Sequence, residues 1–364
     1  MSPTILFLGL IFPFQIKIIS PHVPNLVVAN TSCLSDNTKS KFPYDLQPDC
    51  SVYSRGPDKK TDFSCIDFVI EFNADWKDPF VDKSNSGSFL CPEGRKNEAL
   101  GQLTAYATAI LSAQYRTHMF MVFIVRDHAR LIRWDRSGAV VTEAIPFDTQ
   151  SYLFDFFIRY NIADNKARGL DSTISLPTED EISRAKVIVP EFSKEMAFLA
   201  VETSCQDMYT NRRLIIPCPV MRPDVPVGRW TRSSLAFDVQ TERRVFLKDS
   251  WRILAKDIEP EGEIYHQLHE KKVPNISSCL WAGDVGNESH RSQTDEVIDK
   301  CAIRQSYWRL TPHRHYRIVL GIIGKKLEKF ECTWEFVNAM SAALKGKITV
   351  FLAVSLPNLT HYSS

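Results

Sequence analysis

The stretch VFLKDSWR, residues 245–252, decides the reading of this chain. Its β-branched and aromatic residues predict a short strand with Lys248 near its end. Shortly after it comes the acid-rich stretch IEPEGEIYHQLHE, 258–270, which reads as a helix. A strand lysine followed by a helix glutamate is a charge pair suited to phosphate. The ammonium holds the anion, and the carboxylate holds the ammonium in place.

Around this core the pattern is that of alternating strands. SSLAFDV (233–239) and RRVFLKD (243–249) flank a polar turn at Gln240-Thr241-Glu242 and predict a hairpin. Further strands are expected over 213–218, 279–285 and 315–323, and a last helix over 333–345. Residues 286–300 form a polar insertion. These elements define a second domain over 212–345, with RPDVPVG (222–228) as a turn-rich boundary. Upstream, IDFVIEFN (66–73) and MFMVFIV (119–125) read as strands, and the helix between them spans about 97–115. HARLIRWDRSGAVVTEAI (128–145) reads as a hairpin turning at Arg136-Ser137-Gly138, and 153–160 as a helix whose Phe154, Phe156 and Phe157 are core. These pieces make an α/β domain over 30–205, preceded by an apolar segment, 1–29, and the second domain is followed by a tail, 346–364.

Composition sets outer limits. A formal charge of +1 gives no strong pull toward nucleic acid or anionic membrane. The nine cysteines contain no C-x-x-C pair, which argues against a zinc site, and their odd, scattered count favours reduced thiols and an intracellular location. The apolar run 5–14, broken by Pro13, has the length of a signal-peptide core but not of a membrane span, so secretion is the alternative. The run 347–359 contains Pro357 and is also too short to span. The pairs His313/His315 and His266/His269 read as an ordinary strand pair and a solvated helix pair rather than metal ligands.

Several long segments together resemble one family. ADWKDPF (74–80), GQLTAYATAILSAQ (101–114), QYRTHMF (114–120), ARLIRWDRSGAVVTE (129–143), VFLKDSWR, EGEIYHQLHE (261–270) and TPHRHYRIVL (311–320) are similar to the fungal-type protein kinases expanded in mushroom-forming fungi. The resemblance implies an α+β architecture, an N-terminal α/β domain followed by a protein-kinase-like N-lobe. It implies serine/threonine-type phosphotransfer, with ATP as donor and Mg2+ as metal. Carried onto this sequence, Lys248 takes the place of the ATP-phosphate lysine, with Glu263 preferred to Glu261 as its partner. Gly228 opens the glycine-rich turn, and the stretch from Val319 to Gly324 lines the adenine pocket. Trp230 stands where a small residue would let the backbone approach phosphate. No H-R-D-x-x-x-x-N or D-F-G segment follows. The expectation is therefore an N-lobe truncated before the catalytic loop, with no catalytic residue and no activity. The alternative is a pseudokinase-like module that binds a protein partner.

The N-terminal domain carries a second constellation. Asp49 in a Pro-Asp pair, Glu71 on the strand VIEFN and Gln102 on the following helix resemble the restriction-endonuclease-like fold, in which two carboxylates hold Mg2+. Asn73 occupies the position of that fold's lysine and brings no charge. A metal-dependent nuclease-like domain with Asp49 and Glu71 as ligands is the third reading.

Overall fold

The computed structural model describes residues 20–34, 45–54, 61–73, 78–82, 89–91, 94–193, 196–205, 208–218, 225–286, 290–300, 310–321, 324 and 327–355. The apolar run 5–14 and residues 356–364 of the tail lie outside them. The architecture is α+β, and the chain divides into two compact units. One comprises Met1–Ser172, Pro219–Trp230 and Asn287–His313, the other Thr173–Cys218, Thr231–Gly286 and Arg314–Ser364.

In the first unit the elements are β1 (Val27–Asn30), β2 (Cys50–Tyr53), β3 (Phe68–Asn73), α1 (Gly94–Ala113), β4 (Met119–Val125), β5 (His128–Asp135), β6 (Gly138–Val141), β7 (Ile145–Pro146) and α2 (Tyr152–Ile162). The sheet order is β1-β2-β3-β4-β5-β6, with β7 also on β5. β1, β2 and β3 form an antiparallel meander, whereas β3 and β4 are parallel, with Glu71 opposite Phe123. A parallel pair needs a crossover, and α1 supplies it. Alternation along β3 then separates two faces. Phe68, Ile70 and Phe72 join Val122, Ile124, Leu153, Phe157 and Tyr160 in the core beneath α2. The intervening Glu71 faces α1, where Gln102 reaches it. The β5–β6 hairpin turns at Arg136-Ser137 as expected, and Asp135 fixes the turn by accepting from the Ser137 N–H at 2.9 Å.

In the second unit the elements are β8 (Ile174–Ser175), α3 (Glu179–Ile188), β9 (Phe198–Cys205), β10 (Met208–Pro217), β11 (Arg232–Asp238), β12 (Arg243–Ile253), α4 (Glu261–Glu270), β13 (Cys279–Asp284), β14 (His313–Leu320) and α5 (Thr333–Ser355). The sheet order is β13-β14-β12-β11-β10-β9-β8. The first domain was expected to run to residue 205; instead the change of unit falls after Ser172. β9 pairs with β10, and Ala185 of α3 and Val189 at its C-cap pack against Phe198, Ile215 and Phe237 of the second sheet. α3 opens on a capping box between Thr178 and Glu181, and Arg213 clasps Glu181 from β10.

Helix limits differ from the sequence expectations for local reasons. α4 begins at Glu261 rather than Ile258, because Pro260 takes the N-cap position with extended ψ. α5 continues past Lys345 to Ser355, since a single glycine, Gly346, weakens a helix without ending it.

Candidate functional site

Lys248 lies on β12, which is flanked by β11 and β14. Leu247 and Asp249 are buried on one face, while Phe246 and Lys248 share the other. Phe246 packs there with Tyr265 of α4 and with Tyr316, Ile318 and Leu320 of β14. The Lys248 ammonium reaches both oxygens of the Glu261 carboxylate, at 2.8 Å to Oε1 and 2.6 Å to Oε2. Both side chains are about three-quarters shielded, at 25% and 28% exposure. The partner is thus Glu261 and not the preferred Glu263, which is exposed. Two residues turn an α-helix by about 200°, so only one of the two glutamates can face the sheet, and the start at Pro260 selects Glu261.

On the opposite face of β12, Asp249 sits in a buried ion cluster. It accepts from Arg317 Nε at 2.6 Å and pairs with His315 Nε2 at 2.9 Å. Arg317 also donates to Thr173 Oγ1 at 2.7 Å and to the Glu202 carbonyl at 2.8 Å. Trp251 stacks on His315 with ring centroids 4.9 Å apart. Burial would raise the Asp249 pKa, but the charges of His315 and Arg317 outweigh it and hold the carboxyl well below the usual range. Asp249 is therefore committed to structure.

Gly228 belongs to the first unit, whereas Lys248 and Glu261 belong to the second. At φ +98° its backbone is in the left-handed region that favours glycine. Its N–H donates to the Arg136 carbonyl at 2.9 Å. The Arg136 guanidinium lies 3.9 Å from the Trp230 ring centroid, and Trp230 Nε1 donates to the Val225 carbonyl at 2.6 Å. Trp230 thus clamps this turn to Arg136. Of the expected adenine-lining stretch, Val319 and Leu320 are buried in β14, and residues 322–323 lie outside the described residues.

In the first unit the predicted acidic constellation is assembled. Asp49 precedes β2, with its carbonyl held by the Thr31 N–H at 3.0 Å. Its carboxylate accepts from the Phe72 N–H at 2.9 Å, and its own N–H reaches Glu71 Oε2 at 3.3 Å. Gln102 donates to Glu71 Oε1 at 2.6 Å and to the Tyr106 hydroxyl at 2.9 Å, and Tyr106 donates to the Gln47 carbonyl at 2.9 Å. Asn73 follows Glu71 on the same face of β3. Both acids are buried. Burial pushes the Asp49 carboxyl up to about 6, against the pull of the Phe72 N–H. Burial, and then the charge of Asp49, raise Glu71 well above the carboxylate range. Tyr106, which sequence reasoning missed, ties α1 to the backbone just before Asp49. Its position one helical turn after Gln102 was the available signal.

Among the described residues no helix is long and apolar enough to cross a membrane.

The site is thus a strand lysine held by the first-turn glutamate of the next helix, against an antiparallel sheet. The sequence model of the fungal protein kinase family matches residues 90–353, well over half of the chain, and the chain belongs to that family. The match begins after Asp49 and Glu71. The chain is also similar to human phospholipase B-like 1, at 24% identity over 119 residues, covering 32% of this chain and 21% of that protein. The chain thus spans about a fifth of the length of that curated relative. No solved structure was found to match it.

Proposed function

We propose that the second unit is a protein-kinase-like N-lobe that holds the phosphates of ATP at Lys248, with Glu261 orienting the lysine. The observation that carries this reading is the two-pronged contact between the Lys248 ammonium and the Glu261 carboxylate, which joins β12 to α4. The strand order supports it, since the lysine strand is third in the run β10-β11-β12 and is followed in sequence by the glutamate helix. When bound, Mg2+ in such a site neutralises charge on the β- and γ-phosphates. The residues present do not fit that ion. Asp249, the carboxylate beside Lys248, is committed to Arg317 and His315, and the 364 residues contain no D-F-G or H-R-D segment. No phosphoryl-transfer step is derived for these residues, and they are read as a nucleotide-holding lobe.

The test is calorimetric titration of the chain with ATP, with and without Lys248→Ala. Loss of a charge-assisted contact predicts that affinity falls about tenfold. Equal affinities would refute the reading. Capture of a protein partner that survives Lys248→Ala, with no nucleotide bound by the wild type, would make this a protein-binding module instead.

A second reading is favoured by the burial of two neighbouring acids. We propose that Asp49 and Glu71 hold a divalent cation, with Gln102 orienting Glu71. Asn73 supplies no charge to steady a phosphate, so nuclease turnover is not assigned. Titration with Mg2+ or Mn2+ should give binding that Asp49→Ala abolishes, and unchanged binding would remove the site.

A further inference from the structure

We propose that Gly262 and Tyr316 form a seat that positions Glu261 for Lys248, and that position 262 admits only glycine. The consequence for nucleotide binding rests on the ATP reading above; the seat itself does not.

α4 buries none of its residues completely, and its N-cap, Pro260, makes no side-chain cap. Helix starts normally satisfy their free N–H groups with a nearby Ser, Thr, Asp or Asn. Here the acceptor comes from the sheet. The Gly262 N–H donates to the Tyr316 hydroxyl of β14 at 3.0 Å. Tyr316 is buried, and its ring is braced by Arg252, whose guanidinium carbon lies 5.8 Å from the ring centroid. Arg252 is in turn fixed by two bonds to Asp284, at 2.7 and 2.8 Å. Burial pushes the Tyr316 phenol up to about 12, so it keeps its proton at neutral pH and accepts through a lone pair.

The approach is too close for any side chain. A Cβ on Gly262 would stand 2.4 Å from the Ala282 Cβ and 2.5 Å from the Tyr316 hydroxyl. Gly262 is not among the residues with left-handed φ, so the requirement is steric and not conformational. Glycine weakens a helix, and its place in the first turn is accounted for by this contact. Glu261 is the adjacent residue. Lifting the turn by the width of a methyl group would separate its carboxylate from Lys248, because hydrogen-bond geometry fails within about half an ångström.

The experiment measures how fast Lys248 is acylated by an amine-reactive ester in the full chain. Peptide mass spectrometry reads the yield, normalised to the exposed Lys256. Glu261→Gln and Gly262→Ala should each raise Lys248 labelling about fivefold, the scale of losing a partly shielded ion pair. Tyr316→Phe keeps the ring, loses the acceptor and should give a smaller rise. Adding Ala282→Gly and Tyr316→Phe to Gly262→Ala makes room for the new methyl and should return labelling toward the Tyr316→Phe rate. A Gly262→Ala protein that melts at a lower temperature with unchanged Lys248 labelling overturns the proposal, since that is what a purely structural glycine would do. If Gly262→Ala does not fold, Tyr316→Phe decides, and an unchanged rate there overturns it. ATP affinity is measured on the same variants. A wild type that binds no ATP defeats the nucleotide reading, while the labelling still decides the seat.

Discussion

Replacing Asp49 by asparagine should make the protein more stable at pH 8. The carboxyl titrates at about 6 in the fold against 3.8 for an ordinary aspartate, with burial as the main cause. At 1.36 kcal/mol per pH decade, holding it ionised costs the folded state about 3 kcal/mol above pH 6. A group raised in this way contributes stability that is complete below its unfolded pKa and is lost as pH rises through the folded one. The advantage of asparagine is therefore nil below about pH 3.8, grows between 3.8 and 6, and is full above 6. Asparagine retains an oxygen for the Phe72 N–H, but its amide cannot relieve Glu71 of its own burial, so a gain of about 1–3 kcal/mol is expected. For a unit of this size that is roughly 2–10 °C in melting temperature. Paired thermal melts of wild type and variant at pH 8 and pH 4.5 check it, because titrating groups that do not feel the Asp49 charge cancel in the difference, and the relief of Glu71 adds to the gain in the same direction. A variant less stable than wild type at pH 8, or a gain independent of pH, would refute the argument. Divalent cation adds a second arm. Mg2+ bound to the carboxylate pair should stabilise the wild type and leave Asp49→Asn unmoved, narrowing the gap.

Two further outcomes follow from the second unit. Glu261→Gln should lower ATP affinity about tenfold, while Glu263→Gln, at an exposed position, leaves it unchanged; calorimetry on both separates the two glutamates, and the reverse pattern would assign the pair wrongly. Asp249→Ala strands the fully buried Arg317 without its carboxylate and should cost about 3–5 kcal/mol in urea unfolding. The Asp249 contribution is present above the ordinary carboxylate pKa and lost as pH falls below it, so the deficit should shrink in acid.

The parts of this molecule that were legible in its sequence are those set by local periodicity. The alternation of Phe246, Lys248 and their neighbours places the lysine on a half-covered face, and β12 follows that pattern. Asp49 just before a strand, Glu71 on the next strand and Gln102 on the following helix do come together in the fold. What could not be read depends on partners far along the chain. Whether Glu261 or Glu263 meets Lys248 is fixed by where α4 starts, and its first turn is tied to Tyr316, 54 residues on. The left-handed turn at Gly228 is signalled by the glycine, but its anchor is Arg136, in the first unit. The assignment of Phe198–Cys205 to the second sheet rests on pairing with Met208–Pro217, and a strand's own residues do not name its partner.

The two candidate sites differ in a way that bears on what each is for. The pair of Lys248 and Glu261 is electrically balanced and partly open to solvent, so its cost to the fold is small and its presence could be explained by stability alone. Asp49 and Glu71 are two acids buried together, with neutral partners in Gln102 and Tyr106 and no cation among the bonds described above. Among the described residues this arrangement works against stability, because a neutral residue at either position would relieve it. Strained electrostatics of this kind persist where a site must be kept ready for a ligand of opposite charge. The Asp49→Asn experiment thus weighs function against structure. A large gain at pH 8 that Mg2+ erases means the acids are kept for a cation. A gain that Mg2+ leaves untouched removes the cation reading of Asp49 and Glu71.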